Sequence, residues 1–341
     1  MAKEAEAAGP LHPRDSFALE GMEAPAAAMA EARERGRLHH AWLLTGPEGV
    51  GKASFAYRAA RWLLGARPDP AHGPLGTSPE DTVARLVASQ SHPDLMVLER
   101  EADKKVIPVD EARRLSEFFS KAPGIAPYRV AIIDAADDLN VNAANAVLKT
   151  LEEPPPRGVL FLVSHSPGRL LATIRSRCRR LAFRPWPQAR LEAFIVERLG
   201  LDSESAQRLA VMAKGAPGRA LLLHAADALT LDAAAGALLA RLPGADEAGL
   251  VALADGFRGG DGMARFTLLM ERLADRVHAA AIGEGMAGAG GPALDAWART
   301  WSRLETLPAE VEALNLDRAD AFWSALAELR QAARARPFPL S

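Results

Sequence analysis

Gly46, Gly49, Gly51 and Lys52 stand within Thr45-Gly46-Pro47-Glu48-Gly49-Val50-Gly51-Lys52-Ala53-Ser54, at the spacing G-x-x-x-x-G-K of a phosphate-binding loop. Glycines let the backbone curl so that its N–H groups face an anion, and the helix that leaves the loop adds its positive N-terminal end. Lys52 would then stand beside the outer phosphates as a point charge. The position that offers Mg²⁺ a hydroxyl carries Ala53, and Ser54 lies one step further round the helix. Magnesium bridges the outer phosphates during transfer, so this loss argues against hydrolysis more than against binding. The competing reading is a glycine turn between strand and helix with no ligand. These residues leave open whether ATP, ADP or no nucleotide occupies the loop.

Tyr128-Arg129-Val130-Ala131-Ile132-Ile133-Asp134 is an apolar strand ending in a carboxylate, the form that holds the Mg²⁺ shell in nucleotide hydrolases. An acidic residue that activates water normally follows, and here the follower is Ala135. Asp134 could instead serve as a helix cap at the strand end. His39 and His40 invite a metal reading, but no third ligand lies nearby and adjacent strand residues face opposite ways. They are read as structural, or as contacts near an adenine pocket. Cys178, the one cysteine, excludes an internal disulfide and a multi-cysteine zinc site, and is expected as a small buried residue rather than a nucleophile.

The elements that must position these residues follow from periodicity and breakers. A lead to about residue 15 is expected to be mobile, and Ala24 to Arg37 reads as an alanine-rich helix. A strand enters the glycine loop, and Ala53 to Gly65 leaves it as an amphipathic helix with Phe55, Ala59, Trp62 and Leu63 for the core. Arg67 to Pro79 is a Pro- and Gly-rich loop, with a short helix over Asp81 to Ser89. Leu95 to Leu98 and Val159 to Val163 are further strands. Val109 to Ser120 is a helix with Asp110 and Glu111 in its first turn, where the dipole favours acids. Asn142 to Glu153 is a helix stopped by Pro154-Pro155-Pro156. Strands alternating with helices of this length predict an α/β fold, a parallel sheet covered on both faces. Beyond Arg184-Pro185-Trp186-Pro187 the chain reads as helical, with a flexible run over Gly283 to Pro292. Trp297, Trp301, Leu304 and Leu307 are spaced to join helices rather than to stack on bases.

With 341 residues the chain can hold two or three domains. It is 49% hydrophobic and 25% charged with a formal net charge of −2, so no global basic field draws it to nucleic acid. No apolar run reaches a membrane-spanning length. Met1 to Glu6 is acidic and lacks the apolar core of a secretory signal, so a soluble, cytoplasmic protein is expected.

Leu148-Lys149-Thr150-Leu151-Glu152-Glu153-Pro154-Pro155 and Thr173-Ile174-Arg175-Ser176-Arg177-Cys178, placed after a phosphate loop, resemble the clamp-loader branch of the AAA+ ATPases. Within it, Gly36-Arg37-Leu38-His39-His40-Ala41-Trp42 and Ser91-His92-Pro93-Asp94 resemble the delta-prime family of bacterial DNA polymerase III subunits. The resemblance covers roughly Leu11 to Arg184. It implies an AAA+ P-loop domain over 1–183, a helical lid over 184–228 and an all-α collar for oligomerisation over 229–341. It also implies partners: tau/gamma ATPase subunits and delta, with the beta sliding clamp and primed DNA met through the assembled complex. Arg177 matches an arginine finger projected into a neighbour's ATP site, against the reading of a surface arginine or a salt bridge within a basic run. Arg219 matches a lid arginine that senses the gamma phosphate, or braces the lid. Ser164 or His165 falls where the first sensor residue stands. Many relatives carry a four-cysteine zinc module that Gly65 to Gln90 lacks, so no zinc is expected.

The resemblance thus implies a non-hydrolysing subunit of a DNA-directed DNA polymerase holoenzyme. An active tau/gamma-type ATPase is the first alternative, opposed by Ala53 and Ala135. A DNA-binding module is the second, opposed by the near-neutral charge.

Overall fold

The computed structural model describes residues 11–18, 20–101, 104, 106–244, 246–286, 292–335 and 338. The mobile lead expected to about residue 15 lies outside the described residues up to 10. From Leu11 the chain is tied down instead: Pro13–Asp15 forms a 3-10 turn whose flanking carbonyls are held by a buried arginine, described below. The chain divides into two compact units, 1–222 and 223–341, with the edge inside a helix.

In chain order the first unit contains α1 (Glu23–Glu34), β1 (Ala41–Thr45), α2 (Lys52–Leu63), α3 (Thr82–Ala88), β2 (Leu95–Glu99), α4 (Val109–Ser120) and β3 (Arg129–Asp134). It continues with α5 (Val141–Glu152), β4 (Gly158–Ser164), α6 (Ala172–Arg177), β5 (Arg179–Ala182), α7 (Gln188–Leu199), α8 (Ser203–Ala213) and most of α9 (Pro217–Ala225). The strands form one five-stranded sheet in the order β2-β3-β4-β1-β5, every pair parallel. This is the sheet the AAA+ resemblance implied.

Period-two alternation splits each strand between two cores. Trp42 and Leu44 of β1 join Val130, Ile132 and Phe161 against α1 and α2. Leu43 of the same strand joins Ala131, Ile133 and Leu162 against α4, α5 and α6. β1 and β4 are therefore buried throughout, as a central parallel strand with helices on both faces must be. Register places Thr45 beside Ser164 and Ala182, so the loop after β1 emerges at the C-terminal edge of the sheet.

Several boundaries move slightly from expectation. α1 ends at Glu34, because Gly36 takes a positive φ and turns the chain. α2 starts at Lys52, one residue early, and α9 opens on Pro217, a residue well suited to a first helical turn.

The second unit contains α10 (Ala228–Arg241), α11 (Glu247–Asp255), α12 (Gly262–Met286), α13 (Pro292–Leu314) and α14 (Arg318–Ala335). The flexible run expected over Gly283 to Pro292 is helical to Met286 and again from Pro292, and residues 287–291 lie outside the described residues. Phe257 sits edge-on to both Phe266 and Phe322, with ring centroids 5.5 Å apart in each pair. Trp297, Leu304 and Leu307 are buried in the same core, and Trp301 packs against it while stacking on His278. These aromatics hold helices together, as their spacing predicted. Among the described residues no single helix is long and apolar enough to cross a membrane.

Candidate functional site

The glycine loop follows β1 and opens α2. Gly46, Gly49 and Gly51 all take positive φ, a region where a side chain is strained. Two of them are also sterically required. A Cβ on Gly46 would lie 2.3 Å from the Phe183 carbonyl oxygen, and one on Gly49 would lie 2.5 Å from the Arg219 nitrogen. The first turn of α9 therefore rests directly on the loop, and the Gly218 N–H donates to the Gly49 carbonyl at 2.8 Å. Arg219 is thus brought to the loop by its own backbone.

Lys52 is 3% exposed and turns back into the loop. Its Nζ donates to the carbonyls of Gly46 at 2.6 Å and Pro47 at 2.5 Å. Burial pushes its pKa down to about 8, against the opposing pull of Asp134, Glu48 and Asp137. Asp134, at the end of β3, moves the other way. Burial and then Glu99 raise its pKa to about 6, with Lys52 opposing and Asp138 and Glu48 adding. Glu99 is its neighbour in register and accepts from the Tyr57 hydroxyl at 2.7 Å. Asp137 is not at a base position. It accepts from Ser164 Oγ at 3.0 Å and from the backbone N–H groups of His165 and Ser166, pinning the loop after β4. His165 faces the Lys52 charge, and burial followed by that charge lowers its pKa.

Beside the loop opens a cavity of about 390 Å³, walled by Phe17, Met22, Val50, Trp186, Phe194 and Leu221. Apolar walls next to a glycine loop suit a nucleoside base with its phosphates at the loop. Ala53 and Ala135 put methyl groups where a metal-binding hydroxyl and a general base would be needed. The residues suit holding a nucleotide better than activating water on one. His39 and His40 stand at the other end of β1, stacked on each other, His40 Nε2 lying 3.3 Å from the Leu151 carbonyl oxygen. They are structural and lie away from the cavity.

Arg177 also lies at that other end. It closes α6, and β5 starts two residues later with Arg179 beside Trp42. The whole of β1, five residues at about 3.3 Å each, separates it from Gly46. It cannot reach the glycine loop of its own chain. Its side chain is 36% exposed, donates from Nη1 to the Thr173 carbonyl at 3.1 Å, and meets Glu152 Oε1 from Nη2 at 2.9 Å. Cys178, next to it, is half-buried, and burial pushes its thiol up to about 12, which removes it as a nucleophile.

A family model described as "DNA polymerase III, delta subunit" matches residues 22–187. The delta' subunit of DNA polymerase III from Pseudomonas aeruginosa is 41% identical over 187 residues, which are 54% of this chain and 56% of that one. The delta' subunit of Escherichia coli is 32% identical over 194 residues, 57% of each chain. The gamma/tau subunit of Mycobacterium tuberculosis is 34% identical over 181 residues, 53% of this chain and 30% of that one. Residues 22–187 are thus the region similar to the delta-prime family of DNA polymerase III subunits. The chain spans a little over half the length of the curated delta' relatives named here.

Within the delta-prime region, the motifs that carry the likeness are joined in space. Glu152, from the run ending in prolines, pairs with Arg177 of Ser176-Arg177-Cys178. Ser91-His92-Pro93-Asp94 is a framework device. Asp94 is fully buried, and its carboxylate accepts from the N–H groups of Gly124, Ile125 and Ala126 at 2.8 to 3.0 Å, with Arg129 Nε at 3.4 Å. Burial would raise its pKa, but those N–H groups and Arg129 outweigh it and hold the carboxyl below its ordinary range. Arg129 donates in turn to the carbonyls of Phe118, Lys121 and Pro93, so one ion pair fixes the whole loop before β3.

Amphipathic reading misses two residues of the delta-prime region altogether. Arg58 and Arg61 of α2 are each 1% exposed. Arg61 donates to the carbonyls of Arg14 and Ser16 and lies 4.1 Å from the centre of the Phe17 ring. Arg58 donates to those of Phe17, Pro74 and His72. Together they fasten to α2 the strap that carries Phe17 to the cavity wall. Burial and then Arg58 push the pKa of Arg61 down to about 10. The signal was a pair of arginines three apart on a helix whose other faces are already apolar.

Proposed function

We propose that this chain is a non-hydrolysing clamp-loader subunit that lends Arg177 in trans to the ATP site of a neighbouring tau/gamma subunit. In that role it helps tau/gamma and delta open the beta sliding clamp and place it on primed DNA in the cytoplasm. Residues 1–183 serve as the P-loop-like domain, 184–228 as the lid and 229–341 as the collar through which the subunits assemble. Gly46, Gly49, Gly51, Lys52, Asp134 and Arg219 form an inherited nucleotide site that holds ATP or ADP or stands as a relic.

The observation that carries this reading is the place of Arg177. A half-exposed guanidinium a full strand's length from its own loop stands out of reach of phosphates held there, which supports a role on another molecule's. A planar, permanently charged group suits negative charge spread over a transferring phosphoryl group. Ala53 and Ala135 support the non-hydrolysing half of the proposal.

The test is ATP hydrolysis by the purified chain alone, then with tau/gamma, delta, the clamp and primed DNA. The expected result is no turnover alone and a reduced clamp- and DNA-stimulated rate when Arg177→Ala is built into the complex. Steady turnover alone, abolished by Lys52→Ala, would overturn it in favour of a tau/gamma-type ATPase. Unchanged turnover of the Arg177→Ala complex would remove the finger.

A further inference from the structure

Glu152 occupies a position that local rules disfavour. It is the last residue of α5, where the helix end carries partial negative charge and a carboxylate is repelled. It does not cap the helix: the bond that closes α5 runs from the Glu153 N–H to the Lys149 carbonyl. Its carboxylate meets Arg177 Nη2 at 2.9 Å. Arg177 is itself the last residue of α6, so two helix C-termini, one carboxylate and the Thr173 carbonyl converge on a single guanidinium. A residue that violates a local preference and gains one specific contact points to function rather than to stability.

Stability cannot be the reason for the pair. Glu152 is 52% exposed and Arg177 36%, and ion pairs this open contribute about 0–1 kcal/mol. What the pair fixes is direction. Arg177 lies in a basic run with Arg175, Arg179 and Arg180, whose charges would push an untethered guanidinium aside. Thr173 holds Nη1 and Glu152 holds Nη2. A guanidinium has five N–H donors in one plane, so two anchored nitrogens set that plane and leave donors for an incoming phosphate.

We infer that Glu152 is a positioning residue, holding the Arg177 guanidinium oriented for entry into a neighbouring nucleotide site. The inference rests on the trans role of Arg177 proposed above and adds the group that regulates its geometry. The carboxylate is also light enough in its grip to yield. When a phosphate arrives, Nη2 can keep Glu152 or exchange it for a more highly charged acceptor at little cost, because the pair is open to solvent.

The experiment measures ATP turnover of the reconstituted complex carrying Glu152→Ala, Glu152→Gln, Arg177→Ala or the double Glu152→Ala/Arg177→Ala, after circular dichroism and thermal melts show each variant folded. Misorienting a reacting group costs rate more than affinity, so Glu152→Ala is expected to lower single-turnover hydrolysis at the one site Arg177 enters by about tenfold, and whole-complex turnover by at most that site's share, with KM for ATP nearly unchanged. Glu152→Gln keeps an oxygen acceptor for Nη2 and is expected to recover most of the rate. The double variant is expected to match Arg177→Ala alone, because Glu152 acts only through that arginine. A complex in which Arg177→Ala lowers turnover but Glu152→Ala does not would overturn this inference and leave the finger standing. An additional loss from Glu152→Ala in the Arg177→Ala background would also overturn it. Normal turnover of Arg177→Ala would remove the function proposed above, and this inference with it.

Discussion

The two ends of the parallel sheet treat charge in opposite ways. At the C-terminal edge, Lys52 is almost fully enclosed and donates to the Gly46 and Pro47 carbonyls of its own loop. Burial raises the pKa of Asp134, at the end of β3, to about 6. At the N-terminal edge, the Arg177 guanidinium is half-exposed, with partners it can release. A charge folded into its own backbone serves the fold, and one held loosely at the surface can serve another molecule. On the function proposed above, the glycine loop is an inherited nucleotide site, with Ala53 and Ala135 where a metal-binding hydroxyl and a general base would stand.

The first way to break this comparison is to exchange the ends' importance. An arginine finger supplied in trans is worth about 10³-fold or more at the site it enters. Arg177→Ala should therefore cut single-turnover hydrolysis at that one site of the assembly by this order. Whole-complex steady-state rates should fall by that site's share. A larger loss from Lys52→Ala than from Arg177→Ala would invert the comparison and make the loop the working end.

The same contrast separates two ion pairs. Asp94 and Arg129 are 1% and 11% exposed at their side chains, and Glu152 and Arg177 are 52% and 36% exposed. Removing one partner of a buried pair costs about 3–5 kcal/mol, whereas an exposed pair contributes about 0–1 kcal/mol. Urea denaturation of Asp94→Ala should show a loss in the first range, since Gly124, Ile125 and Ala126 lose their acceptor and Arg129 its counter-charge. Glu152→Ala should fall in the second. Equal losses would mean that the surface pair braces the fold after all, and its role in orienting Arg177 would be the weaker explanation.

Much of this was legible in the sequence, and the reasons differ by region. The glycine loop, the strand ending in Asp134 and the bounds of α4 follow from local rules, spacing, period and caps, and the sheet obeys them. What sequence could not supply is what covers a helix from outside. Arg58 and Arg61 read as the wet face of α2, yet segments with no periodic pattern, the strap at 14–17 and the loop at 72–74, fold over them and offer carbonyls. Lys52 turning back on its own loop was hidden for a related reason: the motif specifies the residue and leaves its rotamer open. The meeting of Glu152 with Arg177 joins residues 25 positions apart through two helix ends, which only the tertiary arrangement reveals. The helix running on to Met286 was missed because Gly283 and Gly285 are read as breakers, although glycine weakens a helix by only about 1 kcal/mol.

The smallest effect tests whether the loop end is under electrostatic stress in its own right. Burial raises the Asp134 pKa from its ordinary value to about 6, so between roughly pH 4 and 6 the folded state binds more protons than the unfolded chain. A group with a raised folded pKa contributes stability that is fully present below the unfolded value and is lost as pH rises through the folded one. At neutral pH the ionised carboxylate therefore costs the fold, by about 3 kcal/mol. Asp134→Asn removes the charge and keeps the shape. It should raise the melting temperature at pH 8, leave it nearly unchanged at pH 4, and flatten the slope between. Lys52 draws that carboxylate toward ionisation, and its own pKa near 8 leaves it charged across most of this range. If Asp134→Asn instead destabilises the chain at pH 8, the attraction of Lys52 exceeds the burial of Asp134. The loop end would then be held by a working ion pair, and the two ends of the sheet would differ in exposure alone.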